Sequence, residues 1–195
     1  MKIGIDIDDT LTYAHELRLT YGQKFDYEKR EGKSLKNPNG RDTTDIFDWD
    51  EETDLQLWWE SLGKAEKENK PREFAKEVIH KLRNQGHTIY IISARDRKYF
   101  KNPYEESKEW LEKNQIEYDE LIVECKQKGK YCKQIGIDVF LDDKEENCEA
   151  LQNEGIKTFL FDNVFNHNII NKNIIRVYSF IQFYYEICAL ERKDY

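Results

Sequence analysis

Asp6 and Asp8 stand two residues apart where the apolar run Ile3 to Ile7 gives out. A strand sends successive side chains to opposite faces, but where it ends the chain turns, and the two carboxylates can then converge on one point. Two more polar clusters follow apolar runs: Ser93-Ala94-Arg95 closes the run from Thr88, and Asp142-Asp143 closes the run from Asp138. Ligands of open parallel sheets bind outside the carboxyl ends of the strands, so all three clusters belong to one pocket. Gathering Asp6, Asp8, Asp142 and Asp143 there is costly, because two unit charges at 4 Å repel by about 4 kcal/mol at an effective dielectric near 20. A cation is needed. With oxygen ligands and no His or Cys nearby in sequence, the hard ion Mg²⁺ is the natural candidate, leaving positions open for water and a phosphate oxygen.

Short runs rich in Ile, Val and Phe recur at Lys2 to Ile7, Thr88 to Ser93, Glu120 to Glu124, Asp138 to Asp142 and Thr158 to Asp162. Near-continuous apolar runs suggest strands covered on both faces. Arg72 to Gln85 puts Phe74, Val78 and Leu82 on one helical face, with Pro71 before it and Gly86 after it. Further helices are expected at Tyr104 to Asn114, Lys130 to Ile135, Glu145 to Asn153 and Ile174 to Leu190. Strand alternating with helix implies an α/β fold with a parallel sheet and right-handed crossovers. Between Tyr13 and Lys70 no buried strand is expected, while Tyr21, Phe25, Phe47, Trp49, Trp58 and Trp59 sit among many charges. A structureless loop of that length is improbable in a compact domain, so residues 14–70 are expected to be an inserted helical cap over a core of residues 1–13 and 71–195.

Asp-x-Asp-x-Thr after a first strand, a hydroxyl after a second, a lysine at a helix start and an acidic pair after a later strand resemble the haloacid dehalogenase (HAD) superfamily of phosphohydrolases. Ile46-Phe47-Asp48-Trp49-Asp50, Ile91-Ile92-Ser93-Ala94-Arg95, Gly136 to Asp143 and Phe159-Leu160-Phe161-Asp162 are similar to its 5'-deoxyribonucleotidase type C branch. The resemblance implies a Rossmannoid three-layer sandwich of strand order 5-4-1-2-3 with a C1-type cap. It implies Mg²⁺-dependent hydrolysis of a phosphomonoester through an aspartyl-phosphate. Asp6 would be the nucleophile and Asp8 the acid that protonates the leaving alkoxide, then the base that activates water. A halide leaves without a proton, so Asp8 favours phosphoester over carbon–halogen cleavage. Ser93, with Ala94 beside it, would hold the phosphoryl group. Arg95 would contact phosphate or bridge an acidic residue on the surface. Of Lys126, Lys128, Lys130 and Lys133, Lys130 is favoured as the phosphate lysine because it opens the expected helix, with Lys128 next. Asp6, the Asp8 carbonyl and Asp143 would ligate the metal, with Asp142 behind them or acting through water.

The chain has 195 residues and a net charge of −8, which argues against non-specific binding to nucleic-acid polymers or anionic membranes. It enters a strand directly and has no apolar run of membrane-spanning length, so a soluble cytoplasmic protein is expected. Cys125, Cys132, Cys148 and Cys188 lack metal-ligand spacing and are expected to be ordinary thiols. The aromatic run Tyr178 to Tyr185 should pack a C-terminal helix on the sheet, with homodimerisation as the alternative. A small-molecule nucleoside 5'-monophosphate, ribo or deoxy, is the favoured substrate; the rivals are a phosphatase of a sugar or other small phosphate, and a silent phosphate-binding scaffold.

Overall fold

The computed structural model describes residues 1–169, 171 and 173–193; residues 170, 172, 194 and 195 of the expected core range lie outside these. Six parallel strands form one sheet: β1 (Lys2–Ile5), β2 (Thr88–Ile92), β3 (Glu120–Ile122), β4 (Val139–Asp142), β5 (Lys157–Phe161) and β6 (Ile175–Val177), in the order β3-β2-β1-β4-β5-β6. The first five take the expected order. β6 is the difference. Residues 175–177 form this edge strand, whose Ile175 and Val177 pair with Phe159 and Phe161 of β5, and the last helix begins only at Phe180. A β-branched Ile-Arg-Val segment suits a pleated surface better than a helix start.

Helices cover both faces. α5 (Ala75–Asn84), α6 (Pro103–Lys113) and α9 (Phe180–Lys193) pack on one side, where Val78, Leu82, Trp110, Phe183 and Ile187 meet Ile3, Ile5, Ile89, Ile91 and Phe159. On the other, α7 (Lys128–Ile135) and α8 (Glu145–Asn153) place Cys132 and Leu151 against Ile92, Phe140 and Ile156. The C-terminal aromatics divide accordingly: Phe180 and Phe183 are buried against Phe161 and Phe159, while Tyr178 and Tyr185 face outward. All four cysteines are free thiols.

The chain leaves the sheet after β1 and returns beside its exit point. Thr12 and Pro71 form an antiparallel bridge, and Arg72 N donates to Leu11 O at 2.8 Å. Between these points run α1 (Ala14–Lys29), α2 (Thr43–Ile46), α3 (Glu51–Leu57), a π-helical turn (Trp58–Leu62) and α4 (Gly63–Lys67). This helical segment has its own small core of Phe25, Ile46, Phe47, Trp49, Leu57 and Leu62. Phe47 and Trp49 stack there with ring centroids 4.2 Å apart, which removes them from any ligand, and Trp59 points to solvent. No described helix is long and apolar enough to cross a membrane.

Candidate active site

The turn after β1 is built from its own backbone: Leu11 N and Thr12 N both donate to Ile7 O, at 2.8 and 3.1 Å. Asp9 sits inside this turn with φ 62°, a left-handed conformation that costs a non-glycine residue about 1 kcal/mol or more. Its carboxylate offsets that cost by accepting from His15 N at 2.6 Å and from Arg18 Nη1 at 2.5 Å. Arg18 lies on α1, so the same carboxylate that stabilises the turn also fixes the first helix of the insertion. The turn presents Asp6 and Asp8 toward the sheet's carboxyl end, and Thr10 Oγ1 donates to Asp143 Oδ1 at 3.0 Å.

Asp142 and Asp143 end β4 fully buried. Asp142 is saturated: Oδ1 accepts from Lys144 N and Asn147 Nδ2, both at 2.9 Å, and Oδ2 accepts from Lys128 Nζ at 2.6 Å. Lys128 Nζ also lies 2.8 Å from Asp6 Oδ1, an ion pair outside hydrogen-bonding angles. Lys128 therefore bridges the two strand ends. Burial disfavours its charge, but Asp142 and Asp6 more than reverse this and raise its pKa. Gly129 makes the placement feasible: a Cβ there would lie 2.5 Å from Ala150 O, so only glycine lets the first turn of α7 press against α8.

Lys130, the lysine expected to contact phosphate, is exposed on α7 and does not face the site. The helix opens at Lys128, two residues earlier than the apolar pattern indicated.

Ser93 is buried at the end of β2; its Oγ accepts from Arg95 N at 3.2 Å, and its hydroxyl proton is free to donate. Ala94 lines the cavity between them. Arg95 does not lie on the surface. It is buried and grips Asp8 with Nε 2.9 Å from Oδ2 and Nη2 2.6 Å from Oδ1, while Nη1 reaches Ser107 Oγ at 3.4 Å. The bridge to an acidic residue exists, but inside the site, because α6 carries Ser107 under the β2 loop and draws the guanidinium inward.

The charges are unevenly compensated. Burial, Asp142 and Asp8 push Asp6 up to about 6 despite Lys128. Asp143 is raised well above the usual carboxylate range by burial and by Asp142, Asp9 and Asp6. Burial also pulls Asp8 upward, but Arg95, Arg18 and Lys144 outweigh it and leave its pKa lowered. Oxygens of Asp6, Asp142 and Asp143 lie within 4.8 Å of one another, and Asp143 Oδ2 is buried without a hydrogen-bond partner. A buried oxygen-only donor set with raised carboxyl pKa values and an orphaned oxygen fits a hard divalent cation.

Over this floor opens a cavity of about 460 Å³, walled by the helical insertion and by the loop after β2. Trp58, Leu62, Tyr99 and Phe100 form its apolar side; Arg18, Thr43, Asp54 and Glu66 form a polar one. Trp58 meets Tyr99 and Phe100 edge-on, each with centroids 5.2 Å apart, and its Nε1 donates to Tyr99 O. Gly63 provides the space, since a Cβ there would lie 2.8 Å from Trp58 Nε1. Tyr99 OH donates to Asp54 Oδ2 at 2.7 Å, tying α3 to the loop. Of the insertion's aromatics, Trp58 alone among those named from the sequence lines the cavity; Tyr99 and Phe100 were not anticipated, although they lie close behind Ser93-Ala94-Arg95. Lys144 and Asn147, at the start of α8 directly after Asp143, could have been found by the same positional argument. Arg18 and Glu66 carry no sequence signal, since charges on helices are usually solvated.

Residues 4–192 match the family described as 5' nucleotidase, deoxy (pyrimidine), cytosolic type C protein. The chain is 34% identical over 122 residues to a nucleotidase of Clostridium acetobutylicum, an alignment covering 62% of this chain and 61% of that one. It is 26% identical over 188 residues to a putative nucleotidase of Bacillus subtilis, covering 93% and 91%. Its fold is similar to that of a predicted phosphatase from Clostridium acetobutylicum, with a TM-score of 0.69 at 15% identity over 96% of this chain and 98% of that one. The chain belongs to the cytosolic type C family of deoxy (pyrimidine) 5'-nucleotidases, and is a HAD-type phosphoric monoester hydrolase.

Proposed function

We propose that the protein hydrolyses nucleoside 5'-monophosphates through an aspartyl-phosphate on Asp6, in a Mg²⁺-dependent reaction, with residues 14–70 acting as the cap that selects the substrate. The observation that carries this is the placing of Asp6, Asp8, Ser93 and Lys128 on one floor beneath an aromatic wall at Trp58, Tyr99 and Phe100. Mg²⁺ held by Asp6, the Asp8 carbonyl and Asp143 would neutralise charge on the phosphoryl oxygens. Asp142, with its oxygens already committed, acts behind them by holding Lys128.

An Asp6 oxygen attacks phosphorus while the bond to the nucleoside O5' breaks, and Asp8 delivers a proton to that oxygen. Asp8 then removes a proton from water, the water attacks the aspartyl-phosphate, and Asp6 is restored as inorganic phosphate forms. Lys128 and Ser93 donate to the transferring phosphoryl group, stabilising the charge it spreads over its equatorial oxygens. Arg95 orients Asp8 and lowers its pKa in the free protein. The proton that Asp8 passes to O5' therefore arrives with the phosphate monoanion of the substrate, and the ionised Asp8 is ready to act as base toward water once that proton has been transferred. Lys128 favours the ionised form of Asp6 against its burial, and a bound cation would add to this. The flat apolar face of Trp58 suits a nucleobase.

The test is phosphate release, with Mg²⁺, from nucleoside 5'- and 3'-monophosphates, ribo and deoxy, beside sugar phosphates and phosphoglycolate, with the Asp6→Asn variant as blank. Preferential release from 5'-nucleotides is expected. Equal or faster release from sugar phosphates would discard the substrate, and release by Asp6→Asn equal to wild type would discard the nucleophile.

A further inference from the structure

Glu66 is a carboxyl group that the chemistry above does not use. It lies on α4, is only 4% exposed, and lines the cavity. One oxygen, Oε2, accepts from Asn69 Nδ2 at 3.2 Å, and Asn69 is itself anchored to the sheet domain because its carbonyl accepts from Trp110 Nε1 at 2.8 Å. Glu66 is thus held in place, but weakly compensated. The cations nearest in effect, Arg18 and Arg95, are engaged by Asp9 and Asp8, and among the described residues no Lys or Arg nitrogen lies within 4.0 Å of it. Burial and Asp8, opposed by Arg18 and Arg95, push its pKa up to about 7. A buried carboxyl kept without an ion-pair partner is destabilising, and such a group in a cleft marks a functional position.

Its location says what it faces. Glu66 lies on the helical insertion that walls the cavity, with Trp58 and Leu62, and not on the floor that carries Asp6, Ser93 and Lys128; Asp8 acts on it across the cavity. Asp8 serves the ester oxygen, so Glu66 lies beside the alcohol half of the ester, and the aromatic wall borders the same cavity. In a nucleoside 5'-phosphate the group between ester oxygen and base is the sugar, and the hydroxyl nearest the ester oxygen in covalent connection is the 3'-hydroxyl.

We propose that Glu66 is a specificity-determining residue that accepts a hydrogen bond from the sugar 3'-hydroxyl of a nucleoside 5'-monophosphate. This rests on the nucleotidase function proposed above. Ionised or protonated, the carboxyl offers an acceptor oxygen, so the contact persists across neutral pH. A site built to bind a substrate hydroxyl penalises the analogue lacking it, since its own buried polar group is left unpaired.

The experiment measures kcat/KM with Mg²⁺ for thymidine 5'-monophosphate and 3'-deoxythymidine 5'-monophosphate in the wild type, Glu66→Leu and Glu66→Gln. p-Nitrophenyl phosphate serves as a wild-type control. The wild type is expected to prefer the hydroxylated nucleotide by about 10-fold or more, the worth of a hydrogen bond to a charged group. Glu66→Leu should bring the two values within about 2-fold of each other whatever its absolute rate, and Glu66→Gln, which keeps an acceptor oxygen, should retain part of the preference. Glu66→Leu should also melt no lower than wild type. A preference that survives in Glu66→Leu, wild-type indifference to the hydroxyl, or a clear fall in melting temperature would each overturn the proposal. Wild-type turnover of p-nitrophenyl phosphate with neither nucleotide hydrolysed would instead sink the nucleotidase function, and this proposal with it.

Discussion

The floor and the wall of the site are built by opposite means. On the floor, side chains come from turns at strand ends and are tied to one another across the sheet: Lys128 joins Asp6 to Asp142, Thr10 joins Asp143, and Arg95 takes Asp8 with two nitrogens. The wall comes from short helices with a separate core, joined to the floor through Trp58, Asp54 and Tyr99 and through Arg18 with Asp9. A phosphoryl transfer needs groups placed to within a fraction of an ångström, and a shared sheet provides that rigidity. Discrimination among alcohol groups needs shape and a few hydrogen bonds, which a separately packed insertion can vary without disturbing the chemistry.

Substitutions should divide along the same line. Asp6→Asn is expected to reduce kcat by about 10⁴-fold or more with circular dichroism and melting temperature preserved, since nothing else on the floor can form the covalent intermediate. A residual rate within 10-fold of wild type would remove the nucleophile from the floor. Lys128→Met should cost about 10²–10³-fold in kcat and destabilise the fold by roughly 3–5 kcal/mol, because Asp6 and Asp142 lose their shared cation. Lys130→Met, on the exposed side of the same helix, should change neither quantity; the reverse pattern would restore Lys130 as the phosphate lysine.

Removing divalent cations with EDTA should make the floor a liability that grows with pH. Asp6 and Glu66 are pushed up to about 6 and about 7, so between pH ~4 and those values the folded chain keeps protons that the unfolded chain has released. Stability is therefore greatest at the acid end of that window and falls as pH rises through it, by on the order of 2–3 kcal/mol for each carboxyl. Differential scanning calorimetry in EDTA at pH 5 and pH 8 reads this directly, and added Mg²⁺ should recover part of the loss at pH 8. A melting temperature that rises with pH in EDTA would contradict the burial of uncompensated acid. On the wall the effects should be smaller. Trp58→Ala is expected to raise KM for nucleoside 5'-monophosphates by about 5- to 100-fold, the usual value of one aromatic–base stack, with a lesser change in kcat. A fall in kcat at constant KM would place Trp58 with the chemistry instead.

The carboxylates of the candidate site were legible because each sits at a boundary that periodicity marks. An apolar run ends, a parallel sheet directs its strand ends to one side, and Asp6, Asp8, Ser93, Asp142 and Asp143 follow. The start of α7 was misplaced by two residues because helix boundaries are weakly encoded: Lys128-Gly129 reads as a loop until Gly129 is seen pressed against Ala150 O. The partner of Arg95 was not legible because an arginine's partner depends on what the fold brings near it, here Asp8, 87 residues away. β6 was absorbed into the following helix because Ile174 to Val177 satisfies both periods over so short a span.

By itself, then, the sequence determined the parallel α/β sheet, the clustering of acid groups at its carboxyl end and the helical character of residues 14–70, all of which follow from local pattern and strand polarity. Only the tertiary structure decided that Lys128 holds Asp6 and Asp142 together, that Arg95 holds Asp8, that Trp58 alone of the insertion's five Phe and Trp candidates reaches the cavity, and that Glu66 faces it without an ion-pair partner among the described residues. Those are pairings between charges and rings far apart in the chain, and their energies depend on burial and distance, which no local pattern of residues contains.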